Sequence, residues 1–439
     1  MSKQEGSLPQ DVEKPNIIFI LADDLGYCDL GCYGQKNIAT PNIDRMAAEG
    51  TRFTDCYSGS AVCAPSRSVL MTGQHTGHTR IRGNFAMKGG IMVLDNGPAQ
   101  RREYLRKEDT TVAEVLKGAG YSTGITGKWG VAEPGTPGTP NKKGFDEWFG
   151  YLNQRRAHTY YPPYLWRDEE KVELEGNRDG GRKEYSHDMF TEFALDFIER
   201  RAGETFFLYL PYTIPHGEFV VPELGNYANK PWSEREKSYA AMVSRLDRDV
   251  GRIIELLKEK GIDEKTIIFF CSDNGSGSNW DGTFNSLGPF RGNKGRLYEG
   301  GIRVPMIVRW PGHVPAGVSD APWYFADFFP TAAAIAGVES PGNVDGTSIL
   351  PTLLNQDQDL SDRSLYWEFY REGFHQAVRM GDWKAIRHGE GEMELYNLKE
   401  DVGETRNVAD EHPGLVEEVR TTMVDEHTPS ESWLVRKSG

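Results

Sequence analysis

The sequence predicts an α/β fold: a large, mostly parallel (mixed) β-sheet with helices on both faces, followed by a smaller C-terminal antiparallel sheet with a packed helix. Two observations support this prediction. Short apolar runs alternate with helical segments through most of the 439 residues, as in proteins built from β-α-β units. After about residue 350 the pattern changes to short alternating segments joined by turns. We therefore predict a main α/β domain over residues 1–350 and an antiparallel-sheet subdomain over residues 351–439.

Different signals mark the strands and the helices of the main domain. Apolar, β-branched runs are typical of central parallel strands that are buried on both faces. Helices are marked by polar caps, by Pro in the first turn and by Gly at the end. These signals predict strands at 16–22, 121–126, 205–212, 266–271 and 304–310, helices at 40–50, 111–117, 186–201, 233–260 and 323–336, and irregular segments at 131–143 and 276–301.

The C-terminal subdomain is predicted from short segments in which apolar and polar residues alternate. Such alternation is typical of antiparallel strands that have one buried face. A helical segment after them can cover that sheet. The strands are predicted at 365–370, 376–379, 383–387 and 394–397, and the helix at about 413–426.

The overall charge restricts the class of ligand. The chain has a formal net charge of −15, which argues against a nucleic-acid partner because phosphate contacts need a basic face. The same charge repels an anionic substrate at long range. An anionic ligand would therefore require a local cluster of Lys and Arg side chains.

The cysteines and the N-terminus indicate the cellular context. The five cysteines show no paired spacing, so we predict no disulfide framework. No stretch approaches the length and apolarity of a membrane span, and the polar N-terminus lacks the layout of a signal peptide. We expect a cytoplasmic protein as the chain is given, with a periplasmic or secreted location as the alternative if a signal has been removed.

A candidate nucleophile lies in the stretch from Ser60 to Gly73. Cys63 comes just before a predicted helix whose first turn contains Pro65. Free backbone N–H groups and the helix dipole favour an anion at this position. Arg67, about one turn further on, can reach the same point. The alternative is a buried, inert cysteine beside a capped helix, which is the usual state of a free Cys.

Two of the predicted buried strands end in oxygen-bearing side chains. Asp23 and Asp24 follow the first strand, and Asp273 and Asn274 follow the strand that ends at Cys271. The carboxyl ends of strands form the ligand crevice in open α/β sheets, where converging carboxylates repel one another unless a cation joins them. Hard oxygen donors without Cys or His select Ca²⁺ or Mg²⁺ over zinc. The alternative is that each Asp caps a helix or turn.

Three further residues carry positive charge or a titratable ring. Lys128 follows the second predicted strand, His216 follows the third, and Lys294 lies in a Gly-rich irregular segment. Each of them alone is most simply a solvated loop residue. Together with Arg67 they form the local cationic cluster that an anion-binding site in this acidic chain requires.

The stretch from Cys63 to Arg67, with Pro65 and Ser66 between them, closely resembles the signature of the type I (formylglycine-dependent) sulfatases, an arylsulfatase-like family of the alkaline phosphatase superfamily. The segments that carry the acidic pairs, the two lysines and the histidine resemble the same family and follow its order. The resemblance implies Ca²⁺, with Mg²⁺ less favoured, and 3-oxoalanine (formylglycine) formed from Cys63 by a maturation enzyme. It implies catalytic roles for Cys63, Arg67, Lys128, His216 and Lys294 and metal ligation by Asp23, Asp24, Asp273 and Asn274.

The resemblance also implies a reaction, the hydrolysis of a sulfuric ester. Hydrated formylglycine, a gem-diol held on Ca²⁺, attacks sulfur, and His216 protonates the leaving alcohol with the help of Lys294. The second hydroxyl group then expels sulfate and restores the aldehyde. We expect a sulfated sugar or oligosaccharide as the substrate. We predict that the polar loop after the nucleophile helix binds it through His78, Arg80, Arg82 and Asn84.

One position departs from the family pattern. Many members have His two residues after the lysine, where this chain has Gly130. The departure leaves open whether an imidazole from this loop contacts the nucleophile. Two alternative functions also stay open: a phosphate or phosphonate ester hydrolase of the same superfamily, and a non-catalytic relative that binds sulfated glycans while Cys63 stays a thiol.

Overall fold

A central mixed β-sheet organises the main part of the molecule. The computed structural model describes residues 6–10, 12–93, 99–280 and 282–435. The strands in these residues are β1 (Asn16–Ala22), β2 (Thr51–Phe53), β3 (Cys56–Tyr57), β4 (Ile91–Val93), β5 (Gln100–Arg102), β6 (Ser122–Lys128), β7 (Glu147–Tyr151), β8 (Tyr164–Arg167), β9 (Glu170–Glu173), β10 (Phe206–Pro211), β11 (Thr266–Ser272), β12 (Met306–Arg309), β13 (Gly317–Ser319), β14 (Trp323–Tyr324), β15 (Ser364–Phe369), β16 (His375–Met380), β17 (Trp383–His388) and β18 (Met393–Asn397).

Helices cover this sheet on both faces. In the described part of the chain they are α1 (Pro41–Ala48), α2 (Cys63–Thr72), α3 (Val112–Gly118), α4 (Ser186–Arg201), α5 (Glu234–Glu259), α6 (Glu299–Ile302), α7 (Phe328–Ile335), α8 (Leu350–Leu353) and α9 (Pro413–Asp425). Several begin with the predicted capping signals. Thr111 and Ser233 each form a capping box at the start of α3 and α5, with Glu114 and Glu236 as the reciprocal partners.

The ten-stranded sheet has the order β13-β2-β12-β11-β1-β10-β6-β7-β8-β9. The central strands β11, β1, β10, β6 and β7 are parallel, whereas β12, β8 and β9 are joined to their neighbours by antiparallel pairing. The predicted fold class, a mostly parallel mixed sheet with a smaller antiparallel sheet after it, is therefore confirmed.

Strand β1 lies in the middle of the sheet and contributes to both cores. Ile17, Phe19 and Leu21 pack into the core on one face, and Ile18 and Ile20 pack into the core on the other, all with zero exposure. The first core also contains α2, α3 and α7, and the second contains α1, α4 and α5. Burial on both faces explains why this strand is apolar throughout instead of alternating.

The C-terminal sheet has the order β15-β16-β17-β18 and is antiparallel throughout. One face packs against α9, where Val378, Val419 and Met423 are buried together. The opposite face joins the main core through residues such as Trp367 and Ile386. The predicted boundary after residue 350 falls at the beginning of α8.

Three sequence-based assignments differ from the structure in detail. The segment 323–336 is not one helix: Trp323 and Tyr324 pair in parallel with Cys56 and Tyr57, and α7 begins only at Phe328. A backbone N–H group that donates its hydrogen bond to a neighbouring strand cannot also donate it within a helix. The two segments predicted to be irregular each contain a short helix, a 3-10 turn at Pro140–Lys143 and α6.

No helix among the described residues combines the length and the apolarity that crossing a membrane requires.

Close backbone approach between strands places special demands on Gly127, the residue before the end of β6. Its φ angle is +126°, and a Cβ atom there would lie 2.1 Å from the carbonyl oxygen of Pro211. A Cβ atom at Gly150 on β7 would in turn lie 2.0 Å from the oxygen of Gly127. The absence of side chains therefore lets β10, β6 and β7 approach closely beside Lys128.

Replacement of Gly127 by Ala should lower the free energy of unfolding by about 3 kcal/mol because the added methyl group collides with backbone. The matched control is Gly118→Ala at the end of α3, where nothing lies within 4 Å of an added Cβ atom. That control should stay within about 1 kcal/mol of the parent. Chemical denaturation measures both, and equal stability of Gly127→Ala and the parent would contradict the packing described here.

Candidate active site

The carboxyl ends of four neighbouring parallel strands meet at one edge of the large sheet. The strands are β11, β1, β10 and β6, in that spatial order. Ligand sites of open α/β sheets form at this edge. Each strand is followed by, or ends in, a residue that the sequence predicted to be functional: Asp273 and Asn274 after β11, Asp23 and Asp24 after β1, His216 after β10 and Lys128 at the end of β6.

Cys63 is the first residue of α2 and is completely buried. Its Sγ atom lies 3.7 Å from Oδ1 of Asp23. No side chain caps the helix at Val62. The N–H of Ala64 donates to Oδ1 of Asn84 at 3.1 Å. Burial raises the pKa of the Cys63 thiol to about 12, so an unmodified Cys63 is protonated and weakly nucleophilic at neutral pH.

Arg67 lies four residues after Cys63, on the same side of α2. Its Nε and Nη2 atoms donate to Oδ2 of Asp273 at 3.1 and 2.8 Å, and Nη1 donates to the carbonyl oxygen of Lys128 at 2.6 Å. The side chain is completely buried. Arg67 therefore ties the nucleophile helix to the ends of β11 and β6.

Two lysines contact the acidic pair that follows β1. Nζ of Lys128 donates to Oδ2 of Asp23 at 2.6 Å, and Nζ of Lys294 lies 2.7 Å from Oδ1 of Asp24. The Lys294 segment is fixed beside the nucleophile loop because the N–H of Gly295 donates to the oxygen of Ala61 at 2.8 Å. Lys128 is fully buried, whereas the Lys294 side chain is 18% exposed. Lys294 therefore lies nearer the opening of the site.

Burial and neighbouring charges shift the pKa values of two carboxyl groups of the cluster in opposite directions. Burial opposes ionisation of Asp23, but Lys128, His216 and Arg67 outweigh it and hold the pKa of this carboxyl well below its usual range. Burial and the neighbouring Asp23 raise the pKa of Asp273 to about 6, although Arg67 opposes that rise. Burial therefore leaves the ionised form of Asp273 poorly stabilised, and a cation bound to its oxygens would favour that form.

The donor atoms fit a hard divalent cation. Oδ1 of Asn274 is buried and has no hydrogen-bond partner among the described residues, while its Nδ2 donates to Oδ1 of Asp24 at 2.7 Å. The N–H of Asp24 donates to Oδ1 of Asp273 at 3.1 Å, which draws the two strand ends together. An orphaned amide oxygen among carboxylate oxygens is the donor set that Ca²⁺ and Mg²⁺ prefer.

His216 completes the cluster from the loop after β10. Its Nε2 atom lies 3.4 Å from Oδ2 of Asp24, and the side chain is 13% exposed. Burial lowers the pKa of His216, and Asp24 opposes that shift. The hydroxyl of Tyr160 donates to the carbonyl oxygen of His216 at 2.6 Å and thereby fixes the loop. The partly exposed ring can reach a ligand at the opening.

His158 is a site residue that the sequence analysis missed. Its ring stacks on that of His216, with centroids 3.8 Å apart and an interplanar angle of 16°. Burial and the neighbouring His216 lower the pKa of His158 to about 2, so it is a neutral partner of His216. Gly130, where many family members have His, has a φ of +79°. His158 belongs to no motif, so only the folded structure identifies it.

Three of the predicted substrate-binding residues form ion pairs with other residues of the protein. Nδ1 of His78 lies 2.9 Å from Oδ1 of Asp345, Nε of Arg80 donates to Oδ2 of Asp109 at 2.6 Å, and Nη1 of Arg82 donates to Oε2 of Glu368 at 3.0 Å. The fourth, Asn84, contacts the residue after Cys63, as described above. Substrate binding by these four residues stays a prediction.

Comparisons with known proteins show which family the chain belongs to. The family model described as Sulfatase matches residues 15–338, and the model described as N-sulphoglucosamine sulphohydrolase, C-terminal, matches residues 291–428. The chain is 36% identical over 395 residues to N-acetylgalactosamine-6-sulfatase of Canis lupus familiaris, which covers 85% of this chain and 72% of that protein. It is 30% identical over 458 residues to arylsulfatase A of Homo sapiens, which covers 92% of this chain and 85% of that protein.

A solved structure is similar to this protein in both fold and sequence. The crystal structure of Ps i-CgsB in complex with k-i-k-neocarrahexaose matches with a TM-score of 0.82 and 31% identity, over 97% of this chain and 96% of that chain. The family model covers most of this chain, and the curated relatives match over most of their own length. The chain therefore belongs to the type I sulfatase family of the alkaline phosphatase superfamily and is an enzyme that hydrolyses sulfate esters.

Proposed function

We propose that the enzyme removes sulfate from a sulfated sugar or oligosaccharide, with formylglycine at position 63 and Ca²⁺ as its cofactors. The observation that carries the proposal is the convergence of Cys63, Arg67, Lys128 and the carboxylates of Asp23 and Asp273 in one buried cluster. A carbohydrate substrate is supported by the relative named N-acetylgalactosamine-6-sulfatase and by the similar structure solved with k-i-k-neocarrahexaose.

The cofactors supply chemistry that the unmodified side chains lack. Formylglycine would supply a hydrated aldehyde as the nucleophile, and Ca²⁺, held by Asp23, Asp24, Asp273 and Asn274, would supply positive charge next to it. The carboxylates of these residues lie within hydrogen-bond distance of Lys128, Arg67 and Lys294, so the protein holds both signs of charge in fixed positions before a substrate arrives.

In this proposal Arg67 orients neighbouring groups of the site, whereas Lys128 and Lys294 bind the sulfate. All three donor nitrogens of Arg67 are engaged by Asp273 and the Lys128 carbonyl, so Arg67 orients these groups. Lys128 and Lys294 each have three N–H donors and can contact sulfate oxygens while they keep their carboxylate partners. Such fixed positive charge stabilises the negative charge that develops on the transferring group.

His216 is the proton donor in this proposal. It is partly exposed, lies beside Asp24 and is backed by the neutral ring of His158. A donor at the opening can reach the ester oxygen that leaves with the sugar. Cys63 and Lys128 are completely buried, so a sulfur attacked from residue 63 would lie between them and this donor. The sugar therefore occupies the His216 and Lys294 side of the site.

The burial of Cys63 bears on when a maturation enzyme could reach it. The side chain has zero exposure at the start of α2 and is covered by the acidic and basic groups of the site. A second enzyme has no access to this sulfur in the folded chain. We therefore propose that conversion to formylglycine precedes the docking of α2 on the sheet.

The main alternative is a phosphate or phosphonate ester hydrolase. A comparison of para-nitrophenyl sulfate with para-nitrophenyl phosphate separates the two functions, because the leaving group is the same and only the transferred group differs. We expect kcat/KM for the sulfate to exceed that for the phosphate by at least roughly a hundredfold, which corresponds to about 2.7 kcal/mol of transition-state discrimination. A preference for the phosphate would refute the proposed function.

Replacement of Cys63 by Ala should abolish turnover and leave the thermal unfolding midpoint nearly unchanged, because its Sγ has a single hydrogen-bond contact among the described residues, a long one to Asp23. Cys28→Ala is the control and should retain activity, since Cys28 is not among the described residues that cluster with Cys63 as potential metal ligands. Peptide mass spectrometry of active enzyme, produced in a host with the maturation system, should find formylglycine at position 63. An active preparation that contains only thiol would contradict the assigned nucleophile.

Replacement of Asp273 by Ala should remove bound calcium and lower kcat by on the order of 10³-fold, as measured by elemental analysis and turnover. Asp263→Ala is the control, because Asp263 also pairs with an arginine, Arg309, but lies outside the site. Asn274→Ala gives a milder test, since its Oδ1 accepts no hydrogen bond within the described protein, and should weaken calcium affinity in a correctly folded enzyme. Full calcium retention by both site variants would rule out the assigned ligands.

A further inference from the structure

A cavity of about 500 Å³ opens directly beside the catalytic histidine. Its lining includes His158, whose ring stacks on His216, and Tyr160, whose hydroxyl holds the His216 loop. Glu218, which follows His216 by two residues, also lines it. The cavity is therefore continuous with the loop that carries the proposed proton donor.

The position of the cavity determines which part of a substrate can enter it. The sulfur must lie between the buried nucleophile and the leaving oxygen, and His216 is the group that protonates this oxygen. The saccharide that carries the oxygen therefore extends past His216, toward His158 and the cavity. With the substrate in this orientation, the cavity would lie on the leaving-group side of the site, away from the sulfate that is hydrolysed.

The lining of the cavity is basic in an otherwise acidic protein. Arg155, Arg156 and Arg182 line it, with Glu218 as an acidic member, while the whole chain has a net charge of −15. Basic side chains gathered around one cavity of an acidic protein create a local positive potential that attracts anions.

Two of these arginines have capacity for a ligand. Nη1 of Arg155 makes a long hydrogen bond, 3.4 Å, to the amide oxygen of Gln100, and the Arg182 guanidinium lies 5.9 Å from the centre of the Tyr161 ring. Neither forms an ion pair with a carboxylate of the described residues. In contrast, each guanidinium nitrogen of Arg67 in the catalytic cluster donates a hydrogen bond, to Asp273 or to the carbonyl oxygen of Lys128. Guanidinium groups without a carboxylate partner bind sulfate and carboxylate in a forked geometry.

We propose that this cavity is a subsite for a second anionic group, a sulfate or a carboxylate, on the leaving-group saccharide, and that Arg155 and Arg182 bind this group. The inference rests on the proposed sulfated-carbohydrate function and deepens it. It makes the enzyme selective for saccharides that carry a second negative charge next to the ester that is hydrolysed. A small aryl sulfate does not extend into the cavity and gains nothing from it.

The test compares the double variant Arg155→Ala/Arg182→Ala with the parent enzyme on four substrates. These are para-nitrophenyl sulfate, a monosulfated disaccharide, the same disaccharide with a second sulfate, and the same monosulfated disaccharide with a uronate carboxylate. The double variant should raise KM for the doubly charged disaccharides by at least roughly tenfold, as expected for the loss of a charge-assisted hydrogen bond. The KM values for the other two substrates and all kcat values should change less than about twofold.

The matched control is Arg178→Ala, which removes one positive charge from the same region but takes it from an ion pair with Glu175. It should leave every KM unchanged. A rise in KM only for the disulfated or only for the uronate substrate identifies which anion the subsite takes. An equal rise for all four substrates, or no rise for either doubly charged one, would overturn the proposal.

Binding provides a second readout that needs no turnover. In the Cys63→Ala background, titration with the disulfated disaccharide should show a dissociation constant at least roughly tenfold higher when Arg155 and Arg182 are also replaced. Equal dissociation constants would overturn the subsite. A parent enzyme that hydrolyses neither aryl nor saccharide sulfate would contradict the proposed function, while the binding result would still decide the subsite.

Discussion

The site depends on one electrostatic constraint, the burial of carboxylates from two strands at the same point. Asp23, Asp24 and Asp273 converge at the ends of β1 and β11, and like charges at such distances cannot all ionise without compensation. Arg67, Lys128 and Lys294 supply three positive charges for these three carboxylates. Burial nevertheless raises the pKa of Asp273. A divalent cation bound to these oxygens would favour their ionised form, and Oδ1 of Asn274, which has no hydrogen-bond partner among the described residues, is a further candidate ligand.

The rest of the fold holds these charges in place. The parallel centre of the sheet brings the ends of four strands to one edge, and α2 places Cys63 over them. The C-terminal sheet contacts both the loop before α2 and the short helix α6. Nε1 of Trp367 donates to the oxygen of Ser58 at 2.9 Å, and the buried Lys384 pairs with Glu299 of α6, which follows the Lys294 segment. The small sheet is therefore part of the catalytic architecture.

Overall acidity and anionic substrates are compatible because the positive charge is local. In the function proposed here, the cluster around Lys128 and Lys294 would contact the group that is transferred, and the arginines of the adjoining cavity would lie where the rest of the saccharide extends. The acidic remainder of the surface disfavours polyanions that cannot place a charge in both positions. Selectivity in such an arrangement comes from the spacing of the two basic regions.

The sequence by itself determined the fold class, the nucleophile motif and the residues that end each central strand. These features are local: apolar runs predict buried strands, and the cysteine, lysine, histidine and acidic pairs are adjacent to them in the chain. Only the tertiary structure decided which of these residues meet, as in the contact of Arg67 with Asp273. It also identified His158 and the pairing of β14, and it placed Arg155 and Arg182 beside one cavity. Each of these depends on segments far apart in sequence, whose approach is set by packing between elements and leaves no periodic signal in either segment alone.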